Sequence, residues 1–345
     1  MDRVLTVSAR KHEPDTWGMP GYDDRHVKNT LIDSSLIPIV EGFYFSEYAN
    51  PEAALLAYCS RFQPQAIMLS INNWPPEKSG PPTVKAFQIL KSQFNIPITM
   101  FWFDIHVQQF VQLLINYSSI ADLHVMFGAH TTSHIPLPTG IKYIYAGLPF
   151  ENCYSNLPNV NKDIDIGFLG TSWKNRAPYI TALSERGFNI YTAGGLLPKD
   201  STIVPYSKEN TSWMPYTDYL ALISRLKISL NFSQLAEGRS QVRARVWETL
   251  LCRSLLFEED NLTTPEYFTP YIDYVPFNSV EDLIFKIEYY LEHEEECDNI
   301  RYQGWETVNK CYSATVFWQN IFNILDDLES CITGTIYNKG HLEAS

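Results

Sequence analysis

The residues best suited to chemistry lie in 240–259, the stretch SQVRARVWETLLCRSLLFEE. The pattern predicts a helix that runs directly into a strand, and apolar side chains cover most of the helix circumference. One narrow polar stripe remains, made of Gln241, Arg245, Glu248 and Cys252 at spacing i, i+4, i+7 and i+11. Because a helix this apolar is packed on nearly all sides, the stripe is expected to face a cleft rather than bulk water.

Arg245 and Glu248 together suit the two polar parts of a nucleotide. A helix N-terminus with free N–H groups and arginines such as Arg243 and Arg245 can bind an anion with several oxygens, for example a diphosphate. The Glu248 carboxylate can accept two hydroxyl hydrogens from a vicinal diol such as ribose. The spacing alone leaves open that Arg245 and Glu248 form an i, i+3 ion pair on a solvent-exposed face.

Two other predicted strands of the second half also end in polar or basic residues. Strand 164–170 ends at Gly170 and is followed by Thr171, Ser172, Lys174 and Arg176. Strand 254–259 is followed by Thr264 and Glu266. Because ligands of open α/β sheets bind at the carboxyl ends of strands, these groups are expected to line one site with the start of the 240–259 helix.

The first half offers candidates for handling a second substrate. Acidic residues and histidines follow predicted strands or turns there: Asp24, His26, Asp104, His106, His130 and His134. Each could position or deprotonate an acceptor hydroxyl. Each could equally be a helix cap or a hydrogen-bonded loop residue.

Both halves predict strands that alternate with helices of about ten residues, which indicates βαβ units and parallel sheets. The strands of the first half are predicted at 4–9, 66–71, 98–103, 123–127 and 142–147. Those of the second half are predicted at 164–170, 188–192, 227–233 and 254–259. Residues 148–163 lack a convincing element and read as a linker. The fold class is therefore α/β, with two Rossmann-like parallel-sheet domains facing a cleft.

Composition narrows the class of protein. The chain has 345 residues, 45% hydrophobic and 19% charged, which is globular and long enough for two domains. No apolar run reaches the ~18 residues of a membrane span, and the N-terminal residues lack a secretory apolar segment. Six scattered cysteines without a CxxC pair favour reduced thiols in the cytoplasm. A net charge of −13 argues against nucleic acid as a partner but permits a small anionic ligand.

Several common catalytic motifs are missing from the sequence. No GxGxxG follows a first strand and no GxxxxGK[ST] occurs, which argues against a standard dinucleotide fold and a P-loop. No GxSxG nucleophile motif occurs, and no cluster has metal-ligand spacing, so no metal or cofactor is expected.

Two segments carry a resemblance to a known family, KDIDIGFLGTSWKNR (162–176) and ARVWETLLCRSLLFEED (244–260). They resemble the CgeB-like, spore-maturation-protein type of glycosyltransferase, a branch of the group-1 glycosyltransferases with the GT-B fold. Residues 216–233 and 276–296 fit the same pattern, and the likeness spans about 163–317. In the first half only the strand order and the end of strand 98–103 are similar.

The resemblance assigns roles to individual residues. It implies that Glu248 holds the ribose of the donor and that Arg176 and Arg245 bind its diphosphate. Two positions depart from the family pattern. Ser240 stands where related enzymes often carry an acidic residue near the transferred sugar, and Arg253 replaces a usual glycine.

The resemblance implies a metal-independent glycosyltransferase of the hexosyltransferase type, retaining in stereochemistry. It would move a sugar from a nucleotide-diphosphate sugar, such as a UDP sugar, to a hydroxyl of a glycan, a lipid-linked or a small-molecule acceptor. Residues 1–150 would bind the acceptor, and residues 160–312 would bind the donor. Helix 313–330 would pack back on residues 1–150. Any membrane contact would be peripheral.

The predicted site divides into two groups of residues. The catalytic candidates are Arg176, Arg245, Asp104 and His106. The donor-binding candidates are Gly170, Thr171, Ser172, Lys174, Ser240, Gln241, Arg243, Glu248, Thr264 and Glu266. Ser240 and Arg253 leave open a catalytically inactive GT-B binding or scaffold protein, and a nucleotide-sugar epimerase is a further alternative.

Overall fold

The computed structural model describes residues 1–10, 21, 23–71, 80–103, 108–127, 137–155, 157–170, 176–193, 215–234, 240–327 and 335–337. The chain divides into two compact units, one made of Met1–Cys153 with Cys311–Ser345 and the other of Tyr154–Lys310. No helix among the described residues is both long and apolar enough to cross a membrane.

The strands of the described residues are β1 (Arg3–Ser8), β2 (Ile39–Tyr44), β3 (Ala66–Leu69), β4 (Ile98–Trp102), β5 (Leu123–Phe127), β6 (Tyr143–Ala146), β7 (Ile164–Leu169), β8 (Ile190–Ala193), β9 (Leu226–Asn231), β10 (Leu255–Glu259), β11 (Val275–Phe277) and β12 (Thr335–Tyr337). The α-helices are α1 (Thr30–Ser34), α2 (Pro51–Phe62), α3 (Val84–Phe94), α4 (Gln108–Tyr117), α5 (Asn152–Ser155), α6 (Ala177–Glu185), α7 (Tyr216–Ser224), α8 (Ala244–Leu251), α9 (Val280–Glu292), α10 (Glu294–Tyr312) and α11 (Ala314–Asp326).

The first unit is built on a seven-stranded sheet in the order β12-β6-β5-β4-β3-β1-β2. Every neighbouring pair is parallel. All residues of β3, β4 and β5 are buried, because helices cover both faces of a parallel sheet.

Helix α11 packs on this first unit at the end of the chain. Trp318 is fully buried, and its indole Nε1 donates to Thr30 Oγ1 at 3.0 Å. The Trp318 ring lies 5.5 Å from the Phe101 ring, centroid to centroid. The core of the first unit therefore includes residues from both ends of the sequence.

The second unit contains a five-stranded parallel sheet in the order β11-β10-β9-β7-β8. The chain moves outward from β7 to β8 on one side, then returns to place β9 on the other side of β7. The point between β7 and β9 is thus the topological switch point, where ligands of doubly wound sheets bind. The predicted α/β class with two parallel sheets is confirmed.

Side-chain caps fix the starts of two helices. Asn50 Oδ1 accepts from the Ala53 N–H at 3.1 Å before α2, and Ser279 Oγ accepts from the Asp282 N–H at 3.1 Å before α9. Each cap satisfies a backbone donor that has no partner within the helix.

Three strands were not expected from the sequence. β2 lies at a sheet edge and alternates exposed and half-buried residues over its first four positions, so it lacks a long apolar run. β11 has three residues and contains Pro276, which an edge strand tolerates. The third is β12, a three-residue edge strand.

The helix predicted from residue 240 begins four residues later, at Ala244. Ser240 instead forms an antiparallel bridge with Gln234, and the Gln241 N–H donates to the Ser233 carbonyl at 2.9 Å. Arg243 is extended, with φ −87° and ψ 152°, and occupies the position directly before the helix. The polar stripe within α8 is therefore Arg245 and Glu248 alone.

The conformation of the chain at the end of α8 explains why position 253 departs from the family pattern. Its φ of 52° is left-handed, the conformation that favours glycine. The Arg253 N–H donates to the Leu250 carbonyl and the Ser254 N–H to the Thr249 carbonyl, which completes a Schellman motif. The Arg253 guanidinium carbon lies 4.0 Å from the centroid of the Trp305 ring. Since the helix ends at the sheet edge opposite the strand ends, Arg253 has a packing role.

Candidate functional site

The candidate site lies at the carboxyl edge of the five-stranded sheet, beside the switch point. β7 is followed by Gly170, and the neighbouring strand β9 ends at Asn231. Helix α8 follows β9 in the chain and brings Arg245 back to this edge. The topology therefore brings the predicted strand-end residues of 164–170 and the 240–259 helix to one place.

Arg245 and Gly170 are in close contact. A Cβ atom added to Gly170 would lie 2.3 Å from Arg245 Nη2, so the glycine leaves the space that the guanidinium fills. Arg245 Nη1 donates to Asn231 Oδ1 at 3.0 Å, and the guanidinium carbon lies 5.5 Å from the centroid of the Phe168 ring. The side chain is thus held from three directions.

Arg176 lies within the same cluster. It occupies the N-cap position of α6, is buried, and donates from Nη2 to the Phe232 carbonyl at 3.3 Å. Burial and the nearby guanidinium groups of Arg245 and Arg243 together lower the pKa of Arg176 to about 10. A buried site that gathers positive charge in this way is suited to an anion with several oxygens.

The remaining polar residues before α8 are arranged around this cluster. Arg243 Nη1 donates to Gln241 Oε1 at 3.1 Å. The Ser240 hydroxyl is buried and accepts from Thr263 Oγ1 at 3.2 Å. The structure thus brings Gly170, Arg176, Arg243 and Arg245 together, while Ser240 is tied to the segment that follows β10.

Glu248 faces the interior of the second unit. It is only 6% exposed and its Oε2 accepts from the Tyr219 hydroxyl of α7 at 2.8 Å. Burial and the Glu248 charge raise the pKa of Tyr219 well above its usual range. A solvent-exposed ion pair between Arg245 and Glu248 is therefore wrong, and the ribose-binding role of Glu248 stays a prediction.

Glu258, at the end of β10, is a site residue that the sequence reasoning missed. It is fully buried and accepts from Asn231 Nδ2 at 2.6 Å, Asn261 Nδ2 at 3.1 Å and Thr264 Oγ1 at 3.3 Å. Burial raises the pKa of Glu258 to about 7. The signal in the sequence was an apolar strand that ends in two consecutive glutamates.

Thr264 and Glu266 belong to a short 3-10 turn after β10. Thr264 contacts Glu258 and donates its N–H to Asn261 Oδ1 at 2.8 Å. Burial raises the pKa of Glu266 to about 7, and Glu266 forms no ion pair with the described arginines. The structure thus joins Thr264 to the Glu258 cluster and gives no contact that joins Glu266 to it.

Some of the predicted residues lie outside the described part of the chain. They are Thr171, Ser172, Lys174, Asp104 and His106, together with His130 and His134. Their roles stay predictions.

Asp24 and His26 lie in a π-helical turn, Asp24–Asn29, of the first unit. His26 Nδ1 lies 2.8 Å from the Pro149 carbonyl oxygen, so that nitrogen carries the proton and donates. Burial and the Arg25 charge lower the pKa of His26 to about 3, which keeps the ring neutral. Asp24 Oδ1 accepts from the Tyr44 hydroxyl at 2.8 Å.

A comparison with protein families identifies the part of the chain that contains this site. Residues 163–323, just under half of the chain, match the family model described as glycosyl transferase-like. This segment is similar to glycosyltransferase domains. The prediction of a group-1 type glycosyltransferase is confirmed at this level, whereas the CgeB-like branch is not. No curated protein sequence is a significant match to the chain.

Solved structures of similar shape cover nearly the whole chain. Anabaena HepE in complex with UDP and glucose has a TM-score of 0.62 at 13% identity, covering 95% of this chain and 100% of that one. Sucrose-phosphate synthase from Thermosynechococcus elongatus has a TM-score of 0.63 at 9% identity, covering 95% of this chain and 100% of that one. T4 phage BGT in complex with its UDP-glucose substrate has a TM-score of 0.56 at 13% identity, covering 93% of this chain and 98% of that one. At these identities the matches establish the fold, which is GT-B as predicted.

Proposed function

We propose that the protein transfers a sugar from a UDP sugar to a hydroxyl group of an acceptor. The glycosyltransferase-like domain at 163–323 supports the reaction class. The choice of UDP as the nucleotide is an analogy with the similar structures: that of HepE contains UDP and glucose, and that of BGT contains UDP-glucose. The second unit would bind the donor and the first unit the acceptor.

The observation that carries the proposal is the cluster of three guanidinium groups, Arg176, Arg243 and Arg245, in which Arg245 packs against Gly170. In the reaction, the acceptor oxygen bonds to the anomeric carbon, the bond from that carbon to the diphosphate oxygen breaks, and UDP leaves, while the hydroxyl proton passes to the diphosphate or to solvent. Negative charge then builds on the leaving diphosphate. Preorganised arginines at a sheet edge stabilise this charge and make a metal ion unnecessary.

Two finer features follow from the resemblance described above. The proposal places the protein in the CgeB-like branch and assigns retention of anomeric configuration. Glu248 would bind the ribose hydroxyls through the carboxylate oxygen that does not accept from Tyr219.

A panel of UDP, GDP and dTDP sugars tests the proposal. Thermal shift with the free nucleotides shows which base binds, and release of the nucleoside diphosphate shows which donor is used. We expect UDP to raise the unfolding temperature and a UDP sugar to be hydrolysed slowly without acceptor. Absence of any response to all three nucleotides contradicts the proposed donor site.

A catalytically inactive binding protein is the second candidate, and Ser240 is the observation that favours it. Ser240 stands at the position where related enzymes carry an acidic residue, and it is buried against Thr263. Arg253 no longer supports this candidate, because its role is in packing. A thermal shift with UDP but no hydrolysis or transfer in the same panel identifies the binding protein.

A further inference from the structure

The Arg245 guanidinium is linked to a buried carboxyl group through one amide side chain. Arg245 Nη1 donates to Asn231 Oδ1 at 3.0 Å, and Asn231 Nδ2 donates to Glu258 Oε2 at 2.6 Å. Asn231 and Glu258 are both fully buried. The three side chains come from α8, β9 and β10, and thus form a continuous hydrogen-bonded chain across the strand ends.

The chemistry of the two outer groups fixes the orientation of the amide between them. A guanidinium only donates hydrogen bonds, and an ionised carboxylate only accepts them. The Asn231 oxygen must therefore face Arg245 and its nitrogen must face Glu258. A protonated Glu258 can donate as well as accept, so the carboxyl group no longer holds the amide nitrogen toward it, and only the hydrogen bond to Arg245 then orients Asn231.

The amide also leaves Arg245 its charge. A carboxylate in the place of Asn231 would neutralise the guanidinium and compete with an anionic ligand. The neutral amide oxygen supplies one hydrogen bond and leaves the positive charge available, with Nη2 packed at Gly170.

We propose that Glu258 and Asn231 are positioning residues that orient the Arg245 guanidinium for the diphosphate of the donor, and that ionisation of Glu258 sets the affinity. The proposal rests on the donor site proposed above, and it adds two residues and a pH dependence to it. Neither residue touches the substrate; both act through Arg245.

Other groups surround Glu258 and bear on its titration. The groups that face it are Asn231, Ser233, Glu259, Asn261, Thr264, Tyr274 and Arg176. Glu259 raises the pKa of Glu258, whereas the hydrogen bonds from Ser233, Asn231 and Thr264 lower it. Tyr274 and Arg176 titrate above the range of interest, since burial and the charge of Glu258 raise the pKa of Tyr274 while that of Arg176 is about 10. Glu258 itself has a pKa of about 7, because burial is the largest effect.

The test compares UDP binding by the wild-type protein and by Glu258→Gln, measured calorimetrically from about pH 5.5 to 8.5. UDP titrates within this range, but it does so equally for both proteins, so the ratio of their dissociation constants isolates Glu258. At acidic pH the protonated acid and the amide are equivalent, and the ratio should be close to one. As pH rises through about 7, the wild type should gain affinity until the variant binds about tenfold more weakly.

Asn231→Ala is the second variant, and it interrupts the chain of hydrogen bonds without removing the carboxyl group. Its UDP affinity should follow only the titration of UDP, and Glu258→Gln should have no further effect in its background. Glu288→Gln is the matched control, because Glu288 lies on α9 and forms an exposed ion pair with Arg186. The ratio of its UDP dissociation constant to that of the wild type should stay at one at every pH. The same pH series on Glu259→Gln should retain the transition, shifted to lower pH because the Glu259 charge raises the pKa of Glu258.

Each result decides the proposal. The proposal is supported if the ratio of the dissociation constants of Glu258→Gln and the wild type rises with pH. It also requires that Glu258→Gln has no effect on UDP affinity in the Asn231→Ala background. A constant ratio at every pH shows that Glu258 is only structural, and it overturns the relay while leaving the donor site intact. A wild-type protein that binds no nucleoside diphosphate overturns the proposed donor site and the relay with it.

Discussion

Arg245 is held by groups that leave its charge uncompensated. Gly170 provides space, Asn231 provides a neutral acceptor, and the Phe168 ring lies beside the guanidinium. No carboxylate of the described residues forms a salt bridge with it. A guanidinium in this setting is prepared for an anionic ligand before that ligand arrives.

Arg245→Ala should therefore strongly reduce sugar transfer while the protein stays folded. Removal of one preorganised donor to a developing charge lowers turnover by about 100- to 1,000-fold. Arg186→Ala is the matched control, since Arg186 is an exposed arginine of the same unit that pairs with Glu288. Turnover from release of UDP, with the unfolding temperature measured in parallel, checks this; an unchanged rate in Arg245→Ala would contradict the assignment.

Gly170→Ala tests the same contact from the other side. The added Cβ would overlap with Arg245 Nη2, so the guanidinium must shift away from the end of β7. We expect weaker UDP binding, because the guanidinium must move, together with some loss of stability, because the φ of +158° at Gly170 strains a non-glycine residue. Gly187→Ala is the matched control, since its φ of +92° adds backbone strain while nothing lies within 4 Å of its Cβ position, so it should leave UDP binding unchanged.

Part of this site could be predicted from the sequence. Arg176 and Arg245 could be identified because basic residues beside strand ends are informative once a parallel sheet is expected. Asn231, Tyr219 and Glu258 could not, since their roles depend on which strands are neighbours. β9 lies between β7 and β10 in the sheet, and no local pattern encodes that order.

At the scale of elements, the end of α8 shows how a non-glycine residue replaces a glycine. The left-handed conformation of Arg253 is unfavourable by about 1 kcal/mol relative to glycine. Its guanidinium lies over the Trp305 ring, and such a contact contributes about 0.5–2 kcal/mol. The two effects are of similar size, which is why the Schellman motif forms here with arginine.

Position 253 should consequently prefer glycine to alanine once the guanidinium is removed. Both variants lose the contact with Trp305, but only Arg253→Ala keeps the backbone strain, so Arg253→Gly should be more stable by about 1 kcal/mol. Urea unfolding of the two variants measures this difference. At Arg186, which follows α6 with a right-handed φ of −72°, the alanine variant should instead be more stable than the glycine variant.

Element boundaries were predicted less well than element types. The apolar periodicity of 240–259 continues through Val242, so the sequence indicates a helix that already includes Gln241. The structure uses 240 and 241 to bond with 233 and 234 instead, because the chain must first turn back to the sheet edge. Long-range pairing of this kind overrides local periodicity.

At the scale of the whole molecule, the sequence was sufficient to predict two parallel sheets. Alternation of apolar runs with helical patterns predicts parallel sheets wherever it occurs. What could not be predicted was β12, since three residues far from the rest of their sheet carry too little pattern.

Trp318→Ala should destabilise the first unit and leave the second unaffected. The buried indole contacts Phe101 and donates to Thr30, and truncation of a core tryptophan costs about 3–5 kcal/mol. Hydrogen exchange resolved by segment measures this: amides of β1–β6 should exchange faster, while those of β7–β11 keep their protection. Phe285→Ala is the control, because Phe285 is 68% exposed on α9 and should change neither.

The return of the chain to its first unit also sets an order of assembly during synthesis. The second unit is one continuous segment, Tyr154–Lys310, and every residue it needs is synthesised before α11. The first unit waits for α11 and β12, with Trp318 reaching Thr30 across 288 positions of sequence. Until then, β6 presents an unpaired strand edge to other nascent chains. The strands translated first are thus the last to be completed, and the time between is when the protein is most exposed to aggregation.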